Sequence, residues 1–331
     1  MKTSLVDRGS VERLLLLVGA LESGLVDGLA GSEALPVDRV AQVAGTDPRA
    51  TGVVLEALAA MGVVERIPPL DGSGMADGGT LYRLSALGRA HLVDQGPELE
   101  RSGLLHQVNK LKGWLELPEV IRTGEPSSRG MARRDVTSRS LAMGERDPDV
   151  LSEIVRRCVA YSGSIRTMLD VGGAVGHLAR EFSRRGVQAT LFDREEVIPL
   201  ARDFLGSDAD GMGLVGGDYT VALPPGPFDL VYFGNVYHIY GAETNAQVTR
   251  DAFAITAPGG TVAIQGYLRG RSAEAAMFAV NMLRSTKEGE VWGEAEYRQW
   301  LGAAGFEGFE VIDLETAPAQ LVLGRRPGEA A

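Results

Sequence analysis

A glycine-rich segment and the acidic residue that follows it carry the clearest chemical signal in the sequence. A buried-strand run at 168–171 is followed by Gly172, Gly173 and Gly176, a pattern that predicts a strand turning sharply into a helix. Glycine lets a backbone approach a ligand where a Cβ would not fit. Asp193 ends the next apolar run, where a carboxylate can accept hydrogen bonds from both hydroxyls of a ribose. The two features together predict a nucleoside ligand.

Polar and aromatic residues also follow the next two predicted strands. Asp218 and Tyr219 come after a short third strand, where a carboxylate and a ring could hold an adenine. The fourth strand, 228–233, leads to Asn235 and His238. Ligands of open α/β sheets bind at the carboxyl ends of the strands. All these residues are therefore predicted to lie at one edge of a sheet.

Two other ligand classes fit this edge less well. A dinucleotide would need a second phosphate-binding half and the spacing Gly-x-Gly-x-x-Gly, whereas the spacing here runs from Gly172 to Gly176 without it. A Mg²⁺ or iron site needs carboxylates or paired histidines at the edge. The four histidines are scattered and the fourth strand ends in Asn235 rather than an aspartate, so no metal is predicted.

An alternating framework must position these residues. Further apolar runs predict strands at 189–192, 213–215 and 261–265, and a final antiparallel pair at 311–312 and 321–323. Helices are predicted at 177–185, 243–256 and 294–304, the last ending at Gly305. Alternating strands and helices are typical of an α/β fold.

The first part of the chain predicts a small helical domain. Apolar residues recur every three or four positions over 11–25, which is one face of an amphipathic helix. That face fits either an internal core or a subunit interface. Short helices at 37–43 and 47–62 precede strands at 63–67 and 81–84, with a glycine-rich stretch between the strands. A helix–turn–helix followed by a hairpin is the pattern of a winged helix.

A winged helix raises the alternative of a DNA-binding regulator. The helix that would enter the groove, 49–61, carries only Arg49 and Glu56 as charged residues. A helix that recognises a DNA sequence needs Arg, Lys, Asn or Gln side chains that contact base edges in the major groove. The module is therefore interpreted as a packing or dimerisation unit, and the regulator is kept as the alternative from a different class, testable by salt-sensitive duplex binding.

Composition narrows the class of protein further. The chain has 331 residues, with 33 Lys and Arg against 44 Asp and Glu, a formal net charge of −11 that disfavours polyanionic partners. Cys158 is the only cysteine, which excludes an internal disulfide framework and fits a reducing compartment. The apolar stretch 14–21 is too short and too closely flanked by charge to be a membrane span. The sequence predicts a cytoplasmic protein with neither a nucleic-acid nor a membrane partner.

In their order along the chain, these motifs resemble the class I S-adenosylmethionine-dependent methyltransferases. The specific resemblance is to small-molecule O-methyltransferases with an N-terminal winged-helix dimerisation domain, and it covers 11–325. It implies a Rossmann-like methyltransferase domain with a mixed seven-stranded sheet, a homodimer, and release of S-adenosylhomocysteine. The implied cofactor-binding residues are Asp170, Gly172, Gly173, Gly176, Asp193, Asp218, Tyr219 and Asn235. The loop would hold the methionine part, Asp193 the ribose, and Asp218 and Tyr219 the adenine; Ala174 replaces a glycine of the family's loop.

The resemblance also implies a catalytic residue. His238 stands at the family's general-base position, counted from the Pro-Gly-Gly turn that follows. An imidazole with a pKa of about 6.5 can take the proton of a phenol, and a sulfonium leaves without help from an acid. Gln265 and Val291 stand where the family has carboxylates that orient the base, with Glu290 one position away. Catalysis by proximity and desolvation alone therefore stays open.

The segment 275–292 matches the family's substrate lid, a helix that bears Met277, Phe278, Asn281, Met282 and Arg284. The predicted acceptor-lining residues are Trp114, Tyr237, Tyr240, Met282 and Trp292. The predicted domains are a dimerisation domain at 1–95, a helical linker and substrate-lining region at 96–164, and a cofactor-binding domain at 165–331.

The predicted activity is O-methylation of a hydroxyl on an aromatic or polyketide-like small molecule of secondary metabolism. Methylation at carbon or nitrogen, or a member that keeps the cofactor without methylating, remains the alternative within the same fold.

Overall fold

The structure is a computed structural model that describes residues 8–31, 33–68, 80–93, 99–127 and 147–328. The chain divides into two units, Met1–Asn109 and Lys110–Ala331. The division between them falls inside the helix Arg101–Trp114. The three-part division expected from the sequence stays a prediction.

The first unit is mostly helical and contains a small antiparallel sheet of order β1-β3-β2. Its elements are α1 (Arg8–Glu22), α2 (Leu25–Gly28), β1 (Leu35–Pro36), α3 (Val37–Ala44), α4 (Pro48–Ala60), β2 (Val64–Ile67), β3 (Leu81–Leu84), α5 (Ala86–Leu92) and the start of α6 (Arg101–Trp114). The predicted helices and paired strands are present, but the helix predicted over 11–25 ends at Glu22 and Leu25 begins α2, and the sequence analysis did not predict β1 or α5. The predicted glycine-rich stretch between β2 and β3 lies largely outside the described residues.

Local chemistry explains where the helices of this unit begin and end. Asp47 caps α4, because its Oδ1 accepts a hydrogen bond from the backbone N–H of Ala50 at 2.8 Å, and Pro48 opens the first turn. The apolar face of α1 is only partly covered within the unit. Leu21 is buried, whereas Val11 and Leu15 are 45% and 48% exposed.

The second unit contains a seven-stranded mixed sheet of order β6-β5-β4-β7-β8-β10-β9. Its strands are β4 (Thr167–Val171), β5 (Gln188–Asp193), β6 (Gly213–Gly216), β7 (Phe228–Gly234), β8 (Thr256–Gly266), β9 (Glu307–Asp313) and β10 (Gln320–Arg325). Strands β4 to β8 pair in parallel, and β9 and β10 pair antiparallel. The predicted Rossmann-like sheet and its final antiparallel pair are confirmed.

Helices cover both faces of this sheet. They are α8 (Pro148–Ser162), α9 (His177–Ser183), α10 (Ile198–Leu205), α11 (Ala242–Ile255) and α13 (Glu294–Ala304), whereas α7 (Leu117–Thr123) and α12 (Ala273–Ser285) pack against each other. On one face, Ile154 and Phe182 belong to the core cluster that contains Met168 of β4. On the other, Trp300 belongs to the cluster that contains Leu169, the next residue of the same strand. Both faces of β4 are therefore buried, which is why its consecutive residues Met168 and Leu169 are both apolar instead of alternating with polar ones.

The topology brings the carboxyl ends of β4, β5, β6, β7 and β8 to one edge of the sheet. Within the described ranges, no helix is long and apolar enough to cross a membrane.

Candidate active site

The loop after β4 is shaped by glycine. Gly172 has a φ of 68°, a left-handed conformation that glycine adopts without strain. A Cβ on Gly172 would lie 2.7 Å from a methyl of Val236, and one on Gly173 would lie 2.5 Å from Oδ2 of Asp170. The loop therefore packs by its backbone between the ends of β4 and β7. The loop therefore presents backbone atoms at its surface, which a ligand can approach closely.

Asp170, which precedes the loop, is 2% exposed. Its Oδ2 accepts a hydrogen bond of 3.3 Å from the backbone N–H of Ala179 on α9. The carboxylate ties the end of β4 to the helix that follows the loop. Its position supports the conformation of the loop.

Asp193 ends β5 beside the same loop and is half-buried. Its Oδ2 accepts from the backbone N–H of Ala174 at 2.8 Å, and its Oδ1 accepts from that of Arg194 at 2.8 Å. An ionised carboxylate has about four lone-pair sites, so these two bonds leave capacity for two ribose hydroxyls. The free acceptor capacity of Asp193 therefore fits the nucleoside that the sequence predicts. Ala174 itself has a φ of 53°, an uncommon value for a residue with a Cβ.

Tyr219 and Asp218 follow β6 at this edge. The Tyr219 ring lies 3.8 Å from where a Cβ of Gly172 would be, and it meets the Tyr240 ring edge-on with centroids 5.7 Å apart. Asp218 is exposed, and its Oδ1 accepts hydrogen bonds from both the backbone N–H and the hydroxyl of Thr220. The structure thus brings Tyr219 to the glycine loop, with Asp218 directly before it.

Asn235, at the end of β7, is held by one residue of β8. Its backbone N–H donates to the carbonyl oxygen of Gln265 at 2.8 Å, and its Nδ2 donates to Oε1 of Gln265 at 3.0 Å. Asn235 has a φ of 58°, which asparagine tolerates better than most residues. The Gln265 side chain is therefore engaged with Asn235 at the position where the resemblance implies a carboxylate for the base.

His238 lies in a short 3-10 turn, Tyr237–Ile239, directly after β7 and is half-buried. Its ring meets that of Phe278 on α12 edge-on, with centroids 4.7 Å apart and an interplanar angle of 83°. Glu290 forms an ion pair with Arg269 at 2.5 Å, and Val291 is buried. The aromatic contact with Phe278 is thus one restraint on the orientation of the imidazole.

A cavity of about 340 Å³ lies within the second unit. Residues from α6, from the segment after β8 and from α12 line it: Lys110, Trp114, Tyr267, Ala273, Glu274, Met277, Phe278 and Asn281. Glu274, Phe278 and Asn281 recur at helical spacing and so share one face of α12. Phe278 both lines this cavity and contacts His238, so one aromatic ring links the cavity wall to the predicted base, which is not itself a lining residue.

The cavity wall combines flat apolar surfaces with a few polar groups. The rings of Tyr267 and Phe278 pack with centroids 4.9 Å apart. Burial raises the pKa of the Tyr267 phenol, and the negative charge of Glu274 adds a smaller increase. The phenol therefore stays protonated at neutral pH. A wall of this kind suits a planar aromatic guest.

The predicted lining residues separate into two groups. Trp114 lines the cavity, and Tyr240 contacts Tyr219 at the cofactor edge. Met282, Tyr237 and Trp292 are 5%, 2% and 8% exposed. These three are buried side chains, and neither they nor Tyr240 are among the cavity-lining residues.

Hydrogen bonds explain the burial of two of these side chains. The Tyr237 hydroxyl lies 3.0 Å from Oγ1 of Thr249, and Nε1 of Trp292 donates to the carbonyl oxygen of Tyr237 at 3.0 Å. Burial raises the pKa of the Tyr237 phenol, which therefore remains neutral. Both rings support the turn that carries His238.

Sequence reasoning named Phe278 and Asn281 on the lid helix without selecting them, and it did not consider Tyr267. The signal that would have found the first two is the helical spacing that starts at Glu274. In the described part of the chain, no group of three or more His, Cys, Asp or Glu side chains is arranged to hold a metal ion.

The sequence matches the O-methyltransferase domain family over residues 141–307 of 331. This match covers the glycine loop, the strand ends described above, and α12.

Individual relatives extend the similarity over most of the chain. The tetracenomycin polyketide synthesis 8-O-methyl transferase TcmO of Streptomyces glaucescens is 28% identical over 338 residues, covering 94% of this chain and 92% of the relative. The 3-amino-4-hydroxybenzoate 4-O-methyltransferase of Streptomyces cremeus is 28% identical over 308 residues, covering 87% and 80%.

Among solved structures, human N-acetylserotonin methyltransferase in complex with SAM shares the fold. Its TM-score is 0.73 at 21% identity, and the similarity covers 98% of this chain and 99% of that one.

Proposed function

This chain belongs to the O-methyltransferase family and is an S-adenosylmethionine-dependent methyltransferase, and from that premise we propose that it methylates a hydroxyl group of an aromatic or polyketide-like small molecule. The observation that carries the proposal is that His238 lies in the turn after β7, at the cofactor edge of the sheet, with its ring against Phe278, which lines an aromatic-walled cavity. The names of two relatives support the acceptor class, since one acts in polyketide synthesis and the other on a hydroxybenzoate.

The cofactor supplies a methyl group on a positively charged sulfur, which leaves as a neutral thioether. Asp193 would bind the ribose hydroxyls through the lone pairs that Ala174 and Arg194 leave open. The backbone of the loop around Gly172 would take the methionine part, held in shape by Asp170.

Two further groups would complete the cofactor site. Tyr219 and Asp218 would adjoin the adenine, since the Tyr219 ring stands beside the glycine loop. Asn235, which is fixed by its two hydrogen bonds to Gln265, would border the cofactor site at the end of β7.

His238 would act as the general base in this proposal. The imidazole takes the proton of the acceptor hydroxyl, which makes the oxygen a competent nucleophile for in-line attack on the methyl carbon. The edge contact with Phe278, which lines the cavity, restrains the orientation of the ring. The flat faces of Trp114 and Tyr267 would orient a planar acceptor.

The proposal includes a homodimer formed through the first unit. Val11 and Leu15 expose about half of their surface on the apolar face of α1, which a second copy would cover. The cytoplasmic location and the lack of a nucleic-acid partner stay predictions from the sequence.

Two variants test the function together. Binding of S-adenosylmethionine is measured by native mass spectrometry and calorimetry, and methyl transfer by S-adenosylhomocysteine release over a panel of hydroxylated aromatic acceptors. We expect Asp193→Ala to weaken cofactor binding by at least about tenfold, since it removes charged hydrogen-bond acceptors. We expect His238→Asn to lower kcat by about 10²–10⁴ with cofactor affinity unchanged. The matched control is His91→Asn in the first unit, which should leave both unchanged.

Two results would contradict the proposal. A protein that never takes up the cofactor would show that the loop and Asp193 are only scaffold. A His238→Asn variant with the kcat of the unmodified enzyme would leave proximity and desolvation as the basis of catalysis and remove the general base. The same mass spectra count the subunits, so a monomer would refute the homodimer.

A further inference from the structure

Arg284, on the last turn of α12, is a buried cation beside the cavity. It is 2% exposed, and its Nη2 donates to Oδ1 of Asn281 at 2.6 Å. Its guanidinium lies over the Trp114 ring, 5.5 Å from the centroid, and its Nε has no hydrogen-bond partner. No acidic side chain of the described ranges pairs with it.

A buried charge without a counter-charge is destabilising unless a ligand or a network compensates it. Burial lowers the pKa of Arg284, but a guanidinium starts so high that it stays protonated. Trp114 and Asn281, two side chains that the guanidinium contacts, both line the cavity. The positive charge therefore lies directly behind one part of the cavity wall.

The same contact fixes the orientation of the Asn281 amide. A guanidinium has only donors, so the amide atom that faces it must be the oxygen. The other end of the amide is then Nδ2, which carries two N–H donors. Within the part of the chain that the structure describes, Nδ2 has no hydrogen-bond partner. Asn281 thus offers the cavity a donor whose direction Arg284 sets.

The cavity is electrically polar along α12. Glu274 lies seven residues before Asn281, which is two helical turns or about 10.5 Å along the axis. The carboxylate therefore stands at one end of the lining stripe and the donor, backed by the cation, at the other. An anionic group of a guest is favoured at the Asn281 end and disfavoured near Glu274.

We propose that the Asn281 end of the cavity binds a negatively charged oxygen of the acceptor, a carboxylate or an ionised enol conjugated with the aromatic ring, with Asn281 as hydrogen-bond donor and Arg284 as its positioning residue. This inference rests on the proposed function and narrows its acceptor to hydroxylated aromatic acids and vinylogous acids.

The test compares three probes of similar size by calorimetry, with the enzyme saturated with S-adenosylhomocysteine. These are 1-hydroxy-2-naphthoate, which is a carboxylate; 2-hydroxy-1,4-naphthoquinone, an enol ionised at neutral pH; and 1-naphthol, which is neutral. We expect at least one anionic probe to bind about tenfold or more tightly than 1-naphthol, the effect of a hydrogen bond to a charged group. The anionic probe with the higher affinity shows whether the site prefers a carboxylate or an ionised enol. Equal binding of all three, or binding of none, overturns the proposal.

Two substitutions then locate the preference. Asn281→Asp keeps the shape but replaces the donor by a carboxylate that pairs with Arg284, so the preference for the anion should disappear while the protein becomes no less stable. Gln299→Glu adds the same charge at an exposed position of α13 and should change nothing. An Asn281→Asp variant that keeps the preference refutes the assignment.

Arg284 is tested through the ratio of anionic to neutral probe affinity, a readout that a purely structural role would not move. Arg284→Lys should retain most of the ratio, because it keeps the charge, and Arg284→Met should lose it. Equal ratios in the two variants would overturn the role of Arg284. Failure of S-adenosylhomocysteine itself to bind would refute the proposed function, so the two failures are distinct.

Discussion

A buried carboxylate on the helix before β4 gives the most quantitative prediction. Glu153 of α8 is 4% exposed and joins this helix to the connection between β9 and β10. Its carboxylate accepts from the backbone N–H groups of Glu315 and Thr316, both at 3.0 Å, and from the Thr316 hydroxyl at 2.7 Å. Arg157 adds a hydrogen bond of 3.2 Å from its Nε.

These contacts control the ionisation of Glu153. Burial alone would raise its pKa, but the hydrogen bonds from Thr316, Glu315 and Arg157 outweigh it and lower the pKa from 4.5 to about 2. A difference of about 2.5 pKa units between the unfolded and folded states corresponds to about 3 kcal/mol of stability at neutral pH. That amount is a substantial part of the stability of an ordinary domain.

The perturbation is Glu153→Gln, which keeps the size of the side chain and removes its charge. We expect the free energy of unfolding at pH 7 to fall by about 3 kcal/mol, measured by urea denaturation. The matched control is Glu315→Gln. Its side chain is 74% exposed and pairs with the same Arg157 at 2.7 Å, so its loss should cost less than about 1 kcal/mol.

The pH dependence separates a charge effect from a packing effect. The folded pKa lies below the unfolded one, so the stabilisation is complete above pH 4.5 and is lost as the pH falls through about 2. At pH 3.5 the unfolded carboxyl is mostly protonated and the folded one is not, so the difference between the two proteins should shrink by about 1.4 kcal/mol. A Glu153→Gln loss no larger than that of the control, or one independent of pH, would refute the reasoning.

Two further substitutions test the site. Ala174→Gly should raise the free energy of unfolding by about 0.5–1 kcal/mol. Glycine removes the backbone strain of φ 53°, and the greater entropy that glycine gives the unfolded chain offsets only part of this gain. An unchanged or lower urea midpoint would contradict this. Tyr237→Phe removes the contact with Thr249 and should cost about 1 kcal/mol of stability. Its KM for the acceptor should stay within twofold, and a tenfold rise would show that Tyr237 contacts the substrate.

The cofactor edge could be predicted because its backbone requirements show in the residue types. Gly172 has the positive φ that favours glycine, and β5 ends at Asp193, as the apolar pattern indicates. Helix α13 spans Glu294–Ala304, as predicted, because Gly305 with a φ of 103° ends it. These features depend on local rules that a single sequence displays.

The acceptor site could not be predicted to the same depth, because it depends on which face of α12 turns inward. Asn281 and Met282 are neighbours in sequence but stand about 100° apart around the helix. Residue type favoured Met282, yet packing buries its side chain and leaves Asn281 on the cavity. The contact between Gln265 and Asn235 is likewise set by tertiary structure, because Gln265 belongs to β8 and Asn235 directly follows β7.

The departures around the base and the buried Arg284 are consistent with one chemistry. Gln265 is bonded to Asn235, and Glu290 is paired with Arg269. A positive charge near an acceptor lowers the pKa of its hydroxyl and favours the oxyanion. On the acceptor class proposed here, Arg284 offsets the negative charge that the bound acceptor already carries, so that charge does not raise the pKa of the hydroxyl whose proton His238 takes. The base can then work without a carboxylate at position 265 or 291, since the electrostatic support lies on the acceptor's side of the reaction.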